Sequence, residues 1–249
     1  MKTMTIAGLG ALALASGADA GVAGFVAYSR NVGANTVIDI FAATTNASDK
    51  LLNVYDLVSN GTFVQKAGLA TKTWKPDVAG FTSTRNTSDD SFMTAGTFSG
   101  GAYGGEYYAS TNSNGDPNFL VNNSWGGTPA SPAATTIPAL AGWYTGDPTS
   151  VDNNAESLAG LVGRVNSVAT ATTAGGAGAN FGIWVSHLVL AGNNKVIGIG
   201  GDFTFGAFAS IKDGVTGQTT QGFSQFIVPA PGAIALLGVA GLASRRRRA

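Results

Sequence analysis

Between residues 21 and 227 one kind of segment recurs: a short run of β-branched and aromatic residues, closed by Gly, Asn, Asp, Ser or Thr. Residues 22–28, 36–43, 51–58 and 181–190 are the clearest examples. Runs of this length and composition predict strands, because branched and ring side chains suit a pleated surface and the punctuating residues suit turns. In Thr36-Val37-Ile38-Asp39-Ile40-Phe41 the alternation is imperfect, with Thr, Ile and Asp sharing the outward positions. Asn193-Asn194 predicts a hairpin turn between 185–190 and 196–199. Phe203, Phe205 and Phe208, after Gly200-Gly201, predict a further strand that sends its aromatics inward. The one helical candidate is 155–162, with Asp152 or Asn153 as its cap. Residues 112–116 and 122–138 read as long decorating loops, and 170–180 as a second loop rich in Ala, Thr and Gly. No fixed period marks a solenoid or propeller. The expectation is a mainly β chain: a single antiparallel β-sandwich or jelly-roll-like domain with long loops.

Composition narrows the chemistry. With 44% hydrophobic and 9% aromatic residues, a chain of 249 can bury a sizeable core. It has no Cys, which excludes disulfides, thiolate zinc, iron–sulfur ligation and a cysteine nucleophile. A lone histidine, His187, excludes a multi-histidine metal site. Fourteen Lys+Arg against fourteen Asp+Glu argue against nucleic-acid binding, which favours a basic surface.

The two ends read as addresses. Lys2, an apolar stretch over 6–15 and the small-x-small pattern Ala18-Asp19-Ala20 match a secretory signal peptide over 1–20, cut before Gly21. At the other end, Val228-Pro229-Ala230-Pro231-Gly232 leads into an uncharged apolar stretch to Ala243, followed by Arg245, Arg246, Arg247 and Arg248. Prolines stop a preceding strand, the apolar stretch suits a short membrane helix, and four arginines make a cytoplasmic stop. Without Lys2, Asp19 and these arginines the body holds 9 basic and 13 acidic residues, a net charge of −4. The neutral total therefore joins a mildly acidic outer domain to a cationic stop.

The tripartite terminus over 228–249 resembles the PEP-CTERM sorting signal of bacterial exported proteins, whose parts stand in this order at the extreme C-terminus. The sequence departs from that pattern at Ala230, where the family usually carries Glu; Val-Pro-Ala-Pro forms resemble planctomycete-like members. Asp90-Ser91-Phe92-Met93-Thr94 and Gly142-Trp143-Tyr144 also resemble phrases of exported planctomycete proteins with no known activity. The resemblance implies membrane targeting, a signal peptidase and an exosortase-like sorting enzyme as partners, and delivery to the cell surface or release into extracellular polysaccharide.

The body offers little catalytic pattern. Ser186 and His187 are adjacent, so on a strand they point to opposite faces and cannot pair. Asp89 with Asp90, and Asp147, Asp152 and Glu156, are the carboxylate groupings a glycoside hydrolase would draw on. Asn112, Asn114 and Asp116 alternate before a glycine turn in faint likeness to a calcium loop, or form a plain Asx-rich turn. The stretch 198–201 lacks the Gly-Lys-Ser/Thr of a phosphate loop. Trp125 and Trp143 stand in loop-rich sequence where a ring can stack on a sugar, while Trp74 and Trp184 read as core. Asn46, Asn60, Asn86 and Asn122 begin Asn-x-Ser/Thr sequons, a sign of exposed backbone. The expected role is a non-enzymatic structural or adhesive surface protein without a required cofactor. A carbohydrate-binding module and a hydrolase on loop carboxylates are the alternatives.

Overall fold

A computed structural model describes residues 24–66, 74, 87–96, 100–103, 106–107, 118–120, 135–144, 156–157, 170–173, 181–197 and 201–226. The chain is mainly β, and no helix occurs among the described residues. Its strands are β1 (Gly24–Val32), β2 (Asn35–Thr44), β3 (Lys50–Asn60), β4 (Phe92–Gly96), β5 (Gly100–Tyr103) and β6 (Glu106–Tyr107). They continue with β7 (Asn118–Leu120), β8 (Ala141–Tyr144), β9 (Glu156–Ser157) and β10 (Thr170–Thr173). The last three are β11 (Phe181–Ala191), β12 (Thr204–Lys212) and β13 (Thr219–Phe226).

Two antiparallel sheets carry the fold. The first runs β10-β1-β2-β11-β4, with β9 also on β11, and the second runs β13-β12-β3-β8-β7. Their facing side chains form one buried cluster, in which Phe25 of β1 meets Phe205 of β12 edge to face at 5.1 Å between centroids. Trp143 of β8 is buried there too, and its indole N–H donates to the carbonyl of Thr94 on β4 at 2.9 Å. That bond satisfies the one polar atom the ring would otherwise bury unpaired.

The predicted strands at 22–28, 36–43, 51–58 and 181–190 correspond to β1, β2, β3 and β11. Five finer expectations are corrected. Residues 170–173 are strand β10, paired with β1, where a loop was expected. Glu156 and Ser157 form β9 against Phe181 and Gly182, in place of the start of a helix. Asn193-Asn194 does not fold β11 back on itself. Asn194, at φ +61°, instead exchanges hydrogen bonds with Asn31 of the β1–β2 hairpin, and Ile197 bridges Phe203. Phe203 and Phe205 face the core, but Phe208 lies on the opposite face of β12 and stacks on Tyr55. Asp39, expected to point outward, does lie on the outer face of its sheet but is fully buried there.

Bulges decide which residues share a face. On β11, Ile183 and Val185 face the core and then Leu188 and Leu190 do, so the parity switches where the pairing slips between Trp184 and Ser186. The extra residue leaves Trp184 and His187, three apart, on the same outer face. On β3 the core positions are Leu51, Val54 and Leu57, three apart because the register with β12 slips twice. Asp56, at φ +51°, marks the second slip. A buried aspartate ties the loops at one end: Asp49 accepts from the amides of Asn46 and Gly214, each at 3.1 Å. Gly214 admits no side chain, since a Cβ would sit 2.2 Å from the Ser48 carbonyl oxygen.

Candidate functional site

The outer faces of the two sheets hold the polar and aromatic groups that the shared core does not use, and they differ in kind. On the first sheet, Asp39 of β2 stands level with Tyr28 of β1 and His187 of β11. Its Oδ2 accepts from Arg30 Nη1, and its Oδ1 accepts from His187 Nδ1 at 2.7 Å. His187 Nε2 in turn donates to the Thr87 carbonyl at 2.7 Å. A carboxylate and a carbonyl both only accept, so both bonds form together only when each ring nitrogen carries a proton. Phe92 stacks on the imidazole at 4.7 Å, and Trp184 meets both rings edge-on. Burial alone would raise the Asp39 pKa, but the Arg30 and His187 charges and their hydrogen bonds outweigh it and hold the carboxyl below its usual range.

This cluster has the chemistry of a structural clamp. A general base needs a free nitrogen within reach of a substrate proton. Both nitrogens of His187 are spent on protein acceptors, and the side chain has no exposed surface. Ser186 is level with Ile40 on the core face while His187 is level with Asp39, so the two side chains diverge.

Beside it, Ser91 Oγ accepts from the Val189 amide at 2.9 Å. Asp90 is buried, with Oδ1 accepting from the Lys66 amide at 3.1 Å and Oδ2 without a partner. Burial pushes its carboxyl up to about 7, the Asp89 charge adding to the rise and the Lys66 hydrogen bond opposing it. Asp89 itself is exposed and lies 3.7 Å from Lys66 Nζ. The adjacent carboxylates therefore occupy different environments, one in solvent and one enclosed.

The outer face of the second sheet carries part-exposed aromatic rings beside an enclosed polar row. Tyr55 of β3 stands opposite Phe208 of β12, and their rings stack at 5.3 Å with 19° between planes. In the next row Asn53 stands opposite Ser210, and Tyr144 of β8 stands opposite Asn53. Asn53 Oδ1 and Ser210 Oγ are enclosed and have no hydrogen-bond partner. The row beyond places Lys50 opposite Lys212. Tyr144 is 40% exposed and Val58 52%, whereas Trp143, one residue from Tyr144, is fully buried.

The residues singled out in the sequence are placed unevenly. Trp143 is enclosed in the core, so its ring is not available to a sugar. Trp125, Asn112, Asn114 and Asp116 lie outside the described residues, as do Asp147 and Asp152. The signal-peptide positions Ala18, Ala20 and Gly21, the motif Val228 to Gly232 and the arginines 245–248 also lie outside them. Among the described residues no helix is long and apolar enough to cross a membrane, and no group of three His, Asp or Glu side chains could hold a metal. Of the sequon asparagines, Asn60 is exposed and Asn46 half-buried. The Tyr55–Phe208 stack and the lysine pair escaped the sequence reading because their members are about 150 residues apart and meet only through the register of β3 with β12.

Comparison with family models, with curated proteins and with solved structures returns no match.

Proposed function

We propose that this is an exported cell-surface or extracellular-matrix protein of structural or adhesive type, and not an enzyme. A cleaved leader over 1–20 delivers it, and a sorting signal over 228–249 holds it in the membrane until exosortase-type processing releases it. The observation that carries this reading is the terminal order of Pro229-Ala230-Pro231, an uncharged apolar stretch and four arginines. Two antiparallel sheets over one shared cluster support a β-sandwich of jelly-roll type as the displayed domain. A histidine with both nitrogens committed, and neighbouring aspartates in unlike environments, favour display over catalysis.

The test is fractionation of cells expressing the full chain and a form lacking residues 229–249. The full chain is expected in the envelope fraction, with a shorter processed form outside the cell. The truncated form is expected to lose envelope association. Equal envelope association of both forms would sink the sorting assignment.

A further inference from the structure

We propose that β13 is an interface strand, through which two copies of this chain pair edge to edge and antiparallel. The inference goes beyond the surface-protein reading and rests on it only for how the copies come to lie side by side.

The second sheet ends on β13, and among the described residues no strand pairs with its outer edge. Backbone N–H and C=O groups along such an edge are a template for another strand. Natural proteins guard that edge with charge, proline, a bulge or short length. β13 has none of these guards. It runs eight residues, and its register with β12 holds from Thr219 to Phe226 without a slip. From Gly214 to Val228 the sequence holds no charged residue and no proline. The other strands that end a sheet path are short: β10 has four residues, β4 five and β7 three. One edge is therefore long, regular and neutral while the rest are cut short.

Charge and position decide the occupant. An edge without charge gives a charged peptide no counter-ion, so its complement is itself a neutral strand. Two bodies that each hold 9 basic and 13 acidic residues repel, and this uncharged edge is where copies approach at least cost. In the surface-protein reading the sorting signal begins at Val228, two residues after β13 ends. Copies anchored in one membrane then carry this strand at one height. The pairing is isologous and closes at two copies, joining two five-stranded sheets into one. Gln221 stands opposite Ser210 on the outer face of the sheet and is exposed. A pairing centred on Gly222, near the middle of the strand, makes the two copies' Gln221 residues diagonal neighbours, about 7–8 Å apart.

The test is sedimentation of the full chain in mild detergent at low salt, over a range of concentrations, alone and as Gln221→Lys and Gln221→Glu. The unaltered chain is expected to form a dimer. Each variant is expected to weaken that dimer about fivefold in dissociation constant, the scale of a like-charge pair across strands. A mixture of the two variants, one carrying a size tag, is expected to restore a mixed dimer at least as tight as the unaltered one. Unchanged urea midpoints of the variants separate lost association from lost folding. A chain that stays monomeric at every concentration overturns the proposal, since the edge is then covered within the chain or unused. Undiminished dimers of both variants also overturn it, because the association then lies elsewhere, as in the apolar stretch near the C-terminus. So does a mixture that stays as weak as its components. These outcomes do not depend on the fractionation result, so the two readings fail separately.

Discussion

The outer faces of the two sheets start from similar material and end in opposite states. Each carries aromatic rings, hydrogen-bonding side chains and basic residues on a strand pair at the middle of its sheet. On the first sheet Asp39 stands between Arg30 and His187, and every one of these groups is enclosed. On the second sheet the rings of Tyr55, Phe208 and Tyr144 keep solvent exposure. A buried carboxylate with two partners therefore organises the first face, while the second keeps rings at its surface. A buried charge is tolerated only with partners, so the triad on the first sheet is a fixed part of the fold.

The largest expected effect lies on the sealed face. Asp39→Ala leaves Arg30 and His187 facing each other without their counter-charge, and should destabilise the chain by about 3–5 kcal/mol in urea unfolding. A loss below about 1 kcal/mol would mean that the face is open to water after all. Trp143→Ala and Tyr144→Ala test the same contrast with adjacent residues. The first removes a fully buried ring and should destabilise by about 3–5 kcal/mol. The second removes a ring on the open face and should change stability by about 0.5 kcal/mol. Similar values for the two would erase the distinction between core and surface at β8.

Asp90 gives a pH-dependent version of the contrast. Its folded-state carboxyl is raised to about 7, so the folded chain keeps a proton that the unfolded chain releases near the usual carboxylate value. Stability from this group is present at low pH and falls as pH rises through about 7. Asp90→Asn should therefore stabilise the protein at pH 8, by roughly 2–4 kcal/mol, and have little effect near pH 4. Urea midpoints at the two pH values provide the check, and a destabilised variant at pH 8 would contradict it. Asp39 has the opposite sign, since its carboxyl is held low and its contribution is lost only as pH falls below the ordinary carboxylate range. The smallest effect is expected from Lys212→Glu, a change at an exposed position of β12, which should alter stability by no more than about 0.5 kcal/mol in urea unfolding.

Much of the fold was legible because β1, β2, β3 and β11 are rich in branched and ring side chains, and that composition is local. β9 and β10, read as part of a helix and of a loop, are two and four residues long, and β4 to β8 and β13 were not singled out as strands either. Thr170-Ala171-Thr172-Thr173 pairs by backbone with Val26 to Ser29, a partnership that no local pattern announces. The sealed face was hidden for a related reason. Asp39 in an apolar run looks like a solvent position until His187, 148 residues away, is placed beside it. The bulge that aligns Trp184 with His187 has no glycine to mark it, so the period-two reading broke there unseen. At β8, Trp143 reads from the sequence as the ring available to a sugar, with Tyr144 only its neighbour. Their exposures are the reverse of that expectation.

Hydroxyl-radical footprinting of the full chain tests the division between the two faces most directly. Tyr55, Tyr144 and Phe208 are expected to be oxidised, while Tyr28, Phe41, Phe92 and Trp184 are expected to stay unmodified. Oxidation of that second group, or none of the first, would contradict the division.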